Sequence, residues 1–389
     1  MKNFDINSFI NKKVSDMPPS GIRKFFDIVS TMEGAISLGV GEPDFATPWH
    51  IRDAGIYSLE KAQTHYTSNS GLMELRKEIC NYYKKFELSY SPSEVLVTVG
   101  GSEGVDLAMR TVLEPGDEVL VHEPSFVCYK PCAVMAGGVP VTIETTSENG
   151  FKLTAEQLEA KITPKTKMLV LSYPNNPTGA IMTREELEPI AEVVKKHNIL
   201  VLSDEIYAEM TYSGRHVSIA SLPDMKDRCI VINGFSKAFA MTGWRLGFTL
   251  ANEAITRAMT KVHQYGIMSA PTTSQYAAIE ALKNGEKSIR AMVEEYDDRR
   301  KLIVDAFNSM GLTCFDPQGA FYIFPSIQST GLSSNDFCEQ LLMEQKVAVV
   351  PGTAMGSCGE GFIRVSYAYS IKQINDAVER IQKFLNSRK

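Results

Sequence analysis

Short apolar runs alternate along the chain with stretches in which apolar residues recur every three or four positions. The runs are rich in β-branched residues and are flanked by turn-forming residues, which predicts buried strands. They lie at 95–99, 118–121, 168–172, 199–203, 229–233 and 246–250. One helical stretch follows a capping box formed by Thr183 and Glu186. The alternation predicts an α/β fold in which helices cover a mostly parallel central sheet.

The pattern changes from about residue 280 onward. A long charged helix is predicted over about 288–310, and the three strands that follow it lie at 319–324, 347–352 and 362–367. Nearer the N-terminus, a helical pattern around 25–31 precedes a strand that begins at Ile36. We therefore predict a large domain over 49–285 and a smaller α+β domain over 286–389. Residues 1–48 are predicted to form an N-terminal arm and part of the small domain.

Composition and charge narrow the class of protein. The 389 residues carry a net charge of -6, whereas a nucleic-acid-binding surface needs a basic excess. Seven scattered cysteines include no CxxC pair, so neither a zinc site nor a disulfide framework is indicated. No apolar run approaches membrane-spanning length, and the first residues lack a signal core. We expect a cytoplasmic protein with reduced thiols and no bound metal.

Polar side chains follow three of the predicted strands at the point where each strand ends. These residues are Asn176, Asp204 and Lys237. The carboxyl ends of parallel strands meet at one edge of a sheet, and open α/β sheets bind ligands at that edge. We therefore expect the three side chains to share one site.

Lys237 is the most informative of the three. Most lysines are solvated, but this one stands between Ser236 and Ala238, with Phe235 and Phe239 beyond them. Desolvation lowers the pKa of an ammonium group, and a neutral amine can form an imine with an aldehyde. The surroundings of Lys237 therefore favour a nucleophilic amine over an exposed loop charge.

The segment 236–247 reads SKAFAMTGWRLG, and its Ser-Lys-x5-Gly-x-Arg-x-Gly pattern resembles the lysine signature of class I and II pyridoxal-phosphate aminotransferases. Further matches are GEPDF at 41–45, NPTG at 176–179 and Asp204-x-x-Tyr207. The resemblance extends from about residue 20 to the C-terminus. It implies fold type I, pyridoxal 5'-phosphate as cofactor, and membership of the branch that contains aspartate and aromatic aminotransferases.

The resemblance implies a role for each matching residue. Lys237 would form the Schiff base with the cofactor and transfer the proton, supported by Asp204 at the pyridine nitrogen and by Tyr207 at the ring hydroxyl. The implied cofactor contacts also include Asn176, Phe126 against the ring, Arg245, Ser236, and the backbone of Gly101, Ser102 and Glu103. The last three begin a helix after a glycine turn, a geometry that offers free N–H groups to a phosphate.

Substrate contacts and a partner are implied in the same way. Arg364 would clamp the substrate carboxylate, with Gly41 and Asn176 beside it, and Ile22 would line the side-chain pocket. Tyr66 would reach the cofactor phosphate of a neighbouring subunit, so a homodimer with shared active sites is expected. The substrates would be an amino acid and a 2-oxo acid that react by a ping-pong mechanism.

One position departs from the family pattern, and the function has alternatives. Many relatives carry a serine three positions before the lysine, where this chain has Gly234. A carbon–sulfur β-lyase on the same fold is the nearest alternative, and a non-catalytic amino-acid sensor is a second. The amino donor stays open between aspartate and an aromatic amino acid, because no second cation for a dicarboxylate is evident in the sequence.

Overall fold

The computed structural model describes residues 4–19, 21 and 32–388. The helix predicted around 25–31 and the predicted pocket residue Ile22 lie outside these residues. The described helices are α1 (Lys12–Ser15), α2 (Trp49–Glu60), α3 (Met73–Tyr83), α4 (Gly101–Val112), α5 (Tyr129–Met135), α6 (Ala155–Glu159), α7 (Arg184–His197), α8 (Glu253–Gly266), α9 (Thr272–Asn284), α10 (Glu286–Ser309), α11 (Ser334–Gln345) and α12 (Ile371–Asn386). Within the described ranges, none of these helices is both long enough and apolar enough to cross a membrane.

The described strands form three sheets. The strands are β1 (Ile36–Ser37), β2 (Val95–Thr98), β3 (Glu118–Glu123), β4 (Val139–Glu144), β5 (Thr166–Ser172), β6 (Leu200–Asp204), β7 (Cys229–Gly234), β8 (Gly247–Leu250), β9 (Tyr322–Ile323), β10 (Val347–Ala348), β11 (Val350–Pro351) and β12 (Ile363–Ser366). Seven of them make the large sheet, in the order β2-β8-β7-β6-β5-β3-β4.

The large sheet confirms the predicted fold class. β8 runs antiparallel to β2 and β7, while the other neighbouring strands pair in parallel. One layer of buried side chains joins a face of this sheet to α2, α3, α7 and α9. A second layer joins the opposite face to α4, α5 and α8. The edge strand β4 was not predicted, because it is only partly buried and contains Pro140.

The connection between β6 and β7 corrects one expectation. Helical stretches were expected between the strands, but this connection contains only the 3-10 turns Ile219–Ser221 and Lys226–Arg228. A buried carboxylate orders it instead, because Glu205 accepts hydrogen bonds from the hydroxyls of Ser203 and Ser218. β6 and β7 remain adjacent and parallel.

The smaller sheets also differ from the predicted strands. The run 347–352 was predicted as one strand, but it contributes to two sheets. β10 pairs in parallel with β1, whereas β11 pairs antiparallel with β12. The predicted strand 319–324 shortens to β9, which pairs with the other side of β12. The central place of β12 in its sheet excludes the alternative that Arg364 lies on an exposed edge strand.

A third group of buried side chains surrounds the small sheets. It joins α11 and α12 to the greater part of α10, and it also includes Leu38 and Tyr207. α10 contributes Ile289 to the first group and Met292 to the third. This helix therefore crosses from one core to the other. The domain boundaries near residues 48 and 285 stay predictions.

Candidate active site

A cavity of about 330 Å³ lies at the carboxyl ends of β5, β6 and β7. The N-terminus of α4 closes one end, and side chains from β9 and β12 close another. The predicted site residues that line it are Gly41, Gly101, Ser102, Phe126, Asn176, Asp204, Tyr207, Ser236, Lys237, Arg245 and Arg364. The strand order therefore brings the three strand-end residues together, as the parallel sheet predicts.

Two predicted residues do not line this cavity. The carboxylate of Glu103 accepts a hydrogen bond from the backbone N–H of Val99 and contacts Nδ1 of His263, so this side chain is engaged away from the cavity. Tyr66 is 81% exposed on the surface of the described chain. Tyr66 therefore does not reach the cavity of its own chain.

Lys237 follows β7 and directs its amine into the cavity. Its Nζ donates a hydrogen bond to the carbonyl oxygen of Gly41. Burial lowers the pKa of Lys237 from 10.5 to about 8; the charge of Glu42 opposes this shift and two cavity arginines add to it. At pH 7 about a tenth of this amine is therefore unprotonated, far more than for a solvated lysine, and the unprotonated form is the nucleophile and proton acceptor.

Asp204 is the last residue of β6 and is buried beneath the cavity. Its Oδ2 accepts a hydrogen bond of 2.8 Å from the Tyr129 hydroxyl, and its Oδ1 accepts one from the backbone N–H of Ile206. Burial raises the pKa of this carboxyl group above its usual value. A cationic partner would offset that desolvation, and the protonated ring nitrogen of a pyridine is such a partner.

Arg364 projects from β12 and is also buried. Its Nη1 donates to Oδ1 of Asn176 at 2.9 Å, and its Nη2 donates to the carbonyl oxygen of Gly39 at 2.5 Å. Its Nε has no hydrogen-bond partner among the described residues. A buried guanidinium with an unused donor fits an anionic ligand such as a carboxylate.

The opposite end of the cavity has the features of a phosphate site. α4 begins at Gly101, so its first backbone N–H groups have no partner within the helix. A Cβ atom on Gly100 would lie 2.5 Å from Nη2 of Arg245, so the glycine allows the guanidinium to approach the helix terminus. Free N–H groups, a helix dipole and an arginine together favour an anion here.

These donors fit pyridoxal phosphate, the cofactor that the sequence predicts. The anion site at α4, the buried carboxylate of Asp204 and the amine of Lys237 match its phosphate, ring nitrogen and aldehyde. Tyr207 and Asn176 also line the cavity and offer a hydroxyl and an amide that suit the ring hydroxyl. The cavity thus contains a residue of suitable chemistry for each polar group of the cofactor.

The structure explains why position 234 is glycine. Gly234 ends β7 opposite Gly247 of β8. A Cβ atom at position 234 would lie 2.9 Å from Cα of Gly247 and 3.0 Å from the carbonyl oxygen of Leu246. Both contacts are with backbone, so a serine at this position requires the two strands to move apart.

Sequence reasoning missed several residues that line the cavity. They include Glu42, Cys128, Tyr129, Ser172, Thr242 and Tyr322. Tyr129 begins a short helix, and Tyr322 lies in an apolar strand, so both resemble packing residues in the sequence. The spacing of Tyr129 three residues after Phe126 was the one available signal, because residues three apart on a helical turn share a face.

Known proteins of one family resemble this chain over almost its whole length. Residues 33–381 match the family model described as aminotransferase class I and II. A Bacillus subtilis relative, itself classed only provisionally as an aminotransferase, is 53% identical over 98% of this chain and 99% of its own. The aspartate aminotransferase of Pyrococcus abyssi is 45% identical over 95% of this chain and 97% of its own. The crystal structure of the Pyrococcus horikoshii aromatic aminotransferase superposes with a TM-score of 0.90 at 44% identity, covering 94% and 99% of the two chains.

Replacing Gly234 by serine should destabilise the protein. The new Cβ would meet backbone atoms of Leu246 and Gly247, and overpacking of this kind costs about 1–3 kcal/mol. Thermal unfolding of Gly234→Ser should show a lower midpoint than the native protein. Gly243→Ser is the matched control, because a Cβ there has nothing within 4 Å. Equal midpoints for the two variants would contradict the steric explanation.

The pH dependence of Lys237 reactivity should reveal its lowered pKa. Reductive methylation with formaldehyde and cyanoborohydride, located by peptide mass spectrometry, should accelerate at Lys237 with a midpoint near pH 8. Because Arg364 lowers this pKa, Arg364→Met should move the midpoint to higher pH. Tyr367→Phe, in the same small-sheet core, should leave it unchanged. A midpoint near 10.5 in the native protein would show that the amine is not desolvated.

Proposed function

The chain belongs to the class I and II aminotransferases, and we propose that its amino donor is aspartate or an aromatic amino acid. It is a pyridoxal-phosphate-dependent transaminase, which moves an amino group from an amino acid to a 2-oxo acid. The observation that carries the assignment of residues is the convergence of Lys237, Asp204 and Arg364 on one cavity.

The proposed roles are those that the resemblance implies for residues that line the cavity. When bound, pyridoxal phosphate supplies an aldehyde carbon and a ring that withdraws electrons. Lys237 would hold the cofactor, and its amine, once free, would take the proton from the substrate Cα and return it as general base and acid. Asp204 would keep the ring nitrogen protonated, and the hydrogen bond from the Tyr129 hydroxyl orients its carboxylate. Tyr207 would donate to the ring oxygen, with Asn176 as a second contact.

Two anion sites, one for the substrate carboxylate and one for the cofactor phosphate, would fix the geometry of the reaction. Arg364 binds the substrate carboxylate through donors that its contacts with Asn176 and Gly39 leave free. Arg245, Ser102, Ser236 and the first N–H groups of α4 hold the cofactor phosphate. Two anchored anions keep the Cα proton within reach of Lys237, so that proton transfer does not depend on a chance encounter.

The choice between donors depends on charge in the side-chain pocket. Relatives at similar identity are named for aspartate and for aromatic amino acids. The cations that line the described cavity are Lys237, Arg245 and Arg364, and each already has a role in the proposal. Val40, Phe126 and Ile206 add apolar surface. The described cavity therefore suits an aromatic side chain, whereas the second carboxylate of a dicarboxylate donor would need a further cation from outside it.

We propose a cytoplasmic homodimer with shared active sites. Large exposed apolar side chains on α2, among them Trp49, Ile56 and Tyr57, support association, since such surface usually marks an interface. In this proposal Tyr66 reaches the phosphate in the partner subunit. The large domain over 49–285 and the small domain over 286–389 belong to the same proposal.

The absorption spectrum during donor addition tests the function. With pyridoxal phosphate, the native protein should show a visible band that fades on addition of aspartate, tyrosine or phenylalanine without any oxo acid. Addition of a 2-oxo acid should restore the band, because each half of a ping-pong reaction runs alone. Lys237→Ala should lack this band and lose at least about a thousand-fold in turnover. Lys287→Ala, which removes an exposed lysine of α10, is the control. Release of ammonia and an oxo acid without an acceptor would instead indicate a lyase.

If the active site is shared between subunits, the exposed residue Tyr66 should affect cofactor binding. Tyr66→Phe should weaken retention of pyridoxal phosphate about ten-fold or more, as loss of a hydrogen bond to a charged group does. Tyr265→Phe removes a hydroxyl of similar exposure and should have little effect. Equilibrium dialysis would measure retention, and light scattering would measure mass. A monomer that retains the cofactor equally well in both variants would refute the shared site.

A further inference from the structure

Tyr322 links the cofactor side of the cavity to its substrate side. It lies in β9 and is 1% exposed, whereas Tyr207 lies in the turn after β6. Their hydroxyl oxygens are 2.8 Å apart, and either atom can donate the proton between them. The phenol of Tyr322 thus contacts the residue that the proposed function places at the cofactor oxygen.

The other contacts of Tyr322 fix its position. The guanidinium carbon of Arg364 lies 4.7 Å from the centre of its ring, within the range of a cation–π interaction. A Cβ atom on Gly41 would lie 2.1 Å from its hydroxyl oxygen, so the hydroxyl sits directly against the glycine backbone. The ring of Phe321 packs on its ring at 4.9 Å. These contacts leave the hydroxyl little freedom to turn from Tyr207.

The proton between the two phenols can be assigned once a cofactor is bound. Burial raises the pKa of both phenols above 10, so each carries one proton at neutral pH. A phenol has a single proton to donate. If Tyr207 donates to the ring oxygen of the cofactor, the bond between the two hydroxyls must be donated by Tyr322.

We propose that Tyr322 is a positioning residue that acts through Tyr207, donating to the Tyr207 oxygen so that the Tyr207 proton points to the cofactor. The inference rests on the proposed function, because it takes the place of Tyr207 from it. A hydroxyl that accepts a hydrogen bond becomes a stronger donor. Tyr322 therefore stabilises negative charge on the cofactor oxygen and lowers the pH at which the Lys237-bound chromophore loses its proton.

A spectroscopic pH titration tests this chain of hydrogen bonds. In Tyr322→Phe, the midpoint of the visible band should rise by about 0.5–1 pH unit, the equivalent of one neutral hydrogen bond. The ring over which Arg364 lies is retained, so KM for the amino donor should change less than about three-fold, whereas losing a bond to the substrate itself would raise it more. Tyr207→Phe should raise the midpoint at least as far. In Tyr207→Phe/Tyr322→Phe, the second substitution should add less than about 0.2 unit, because the two act as one unit.

Tyr367→Phe is the matched control. It removes a buried phenol hydroxyl from the same core, where that hydroxyl donates to the carbonyl oxygen of Ala320. Its midpoint should equal that of the native protein. An unchanged midpoint in Tyr322→Phe, or shifts that add fully in the double variant, would overturn the role of Tyr322 while leaving the aminotransferase function intact. A native protein that never forms the band would overturn the proposed function, and this inference with it.

Discussion

The desolvation of Lys237 is the constraint on which the rest of the site depends. An ammonium group loses stability when buried, and this group lies in a cavity that it shares with two arginines. Its pKa therefore falls toward the pH at which the proposed function requires it to lose and regain a proton. Glu42 and Asp204 limit the fall, so the amine is neither permanently charged nor permanently neutral near neutral pH. A solvated loop lysine at the same place would be protonated and unreactive.

The topology of the large sheet places the other polar side chains of the cavity close to Lys237. β5, β6 and β7 are adjacent and parallel, so Asn176, Asp204 and Lys237 emerge at one edge although long connections separate them in sequence. Arg245 precedes β8, which lies antiparallel beside β7, and its guanidinium reaches Gly100 at the N-terminus of α4. A Cβ on Gly247 would lie 2.7 Å from the backbone N of Gly101, so this approach requires a residue without a side chain. Gly234 and Gly247 therefore allow β7, β8 and the N-terminus of α4 to lie close together.

The sequence predicts those parts of the site that come from strand ends and from unusual residue types. Lys237, Asp204 and Asn176 follow apolar strands, and Arg364 stands within one. A charged side chain in an apolar strand requires a partner or a ligand, so it is noticed in the sequence. Tyr129 and Tyr322 could not be found in this way, because their rings satisfy the apolar pattern and only their hydroxyls act in the cavity. The orientation of the Glu103 carboxylate depends on His263, which is distant in sequence. The division of 347–352 between two sheets depends on partners at β1 and β12, which no local pattern encodes.

Arg364 is the charged side chain that the small sheets contribute to the cavity at the edge of the large sheet. A guanidinium removed from water needs hydrogen-bond partners, and within the described part of the chain these are neutral oxygens of Asn176 and Gly39, not a carboxylate. A neighbouring carboxylate would compete with the substrate for the same donors, and the neutral contacts avoid this competition. The loop that carries Gly39 and Gly41 is fixed further along by Asp44, which accepts two hydrogen bonds from Arg299 of α10. The described residues therefore hold the Arg364 charge in place without pairing it to a carboxylate, and in the proposed function the substrate carboxylate would complete its pairing.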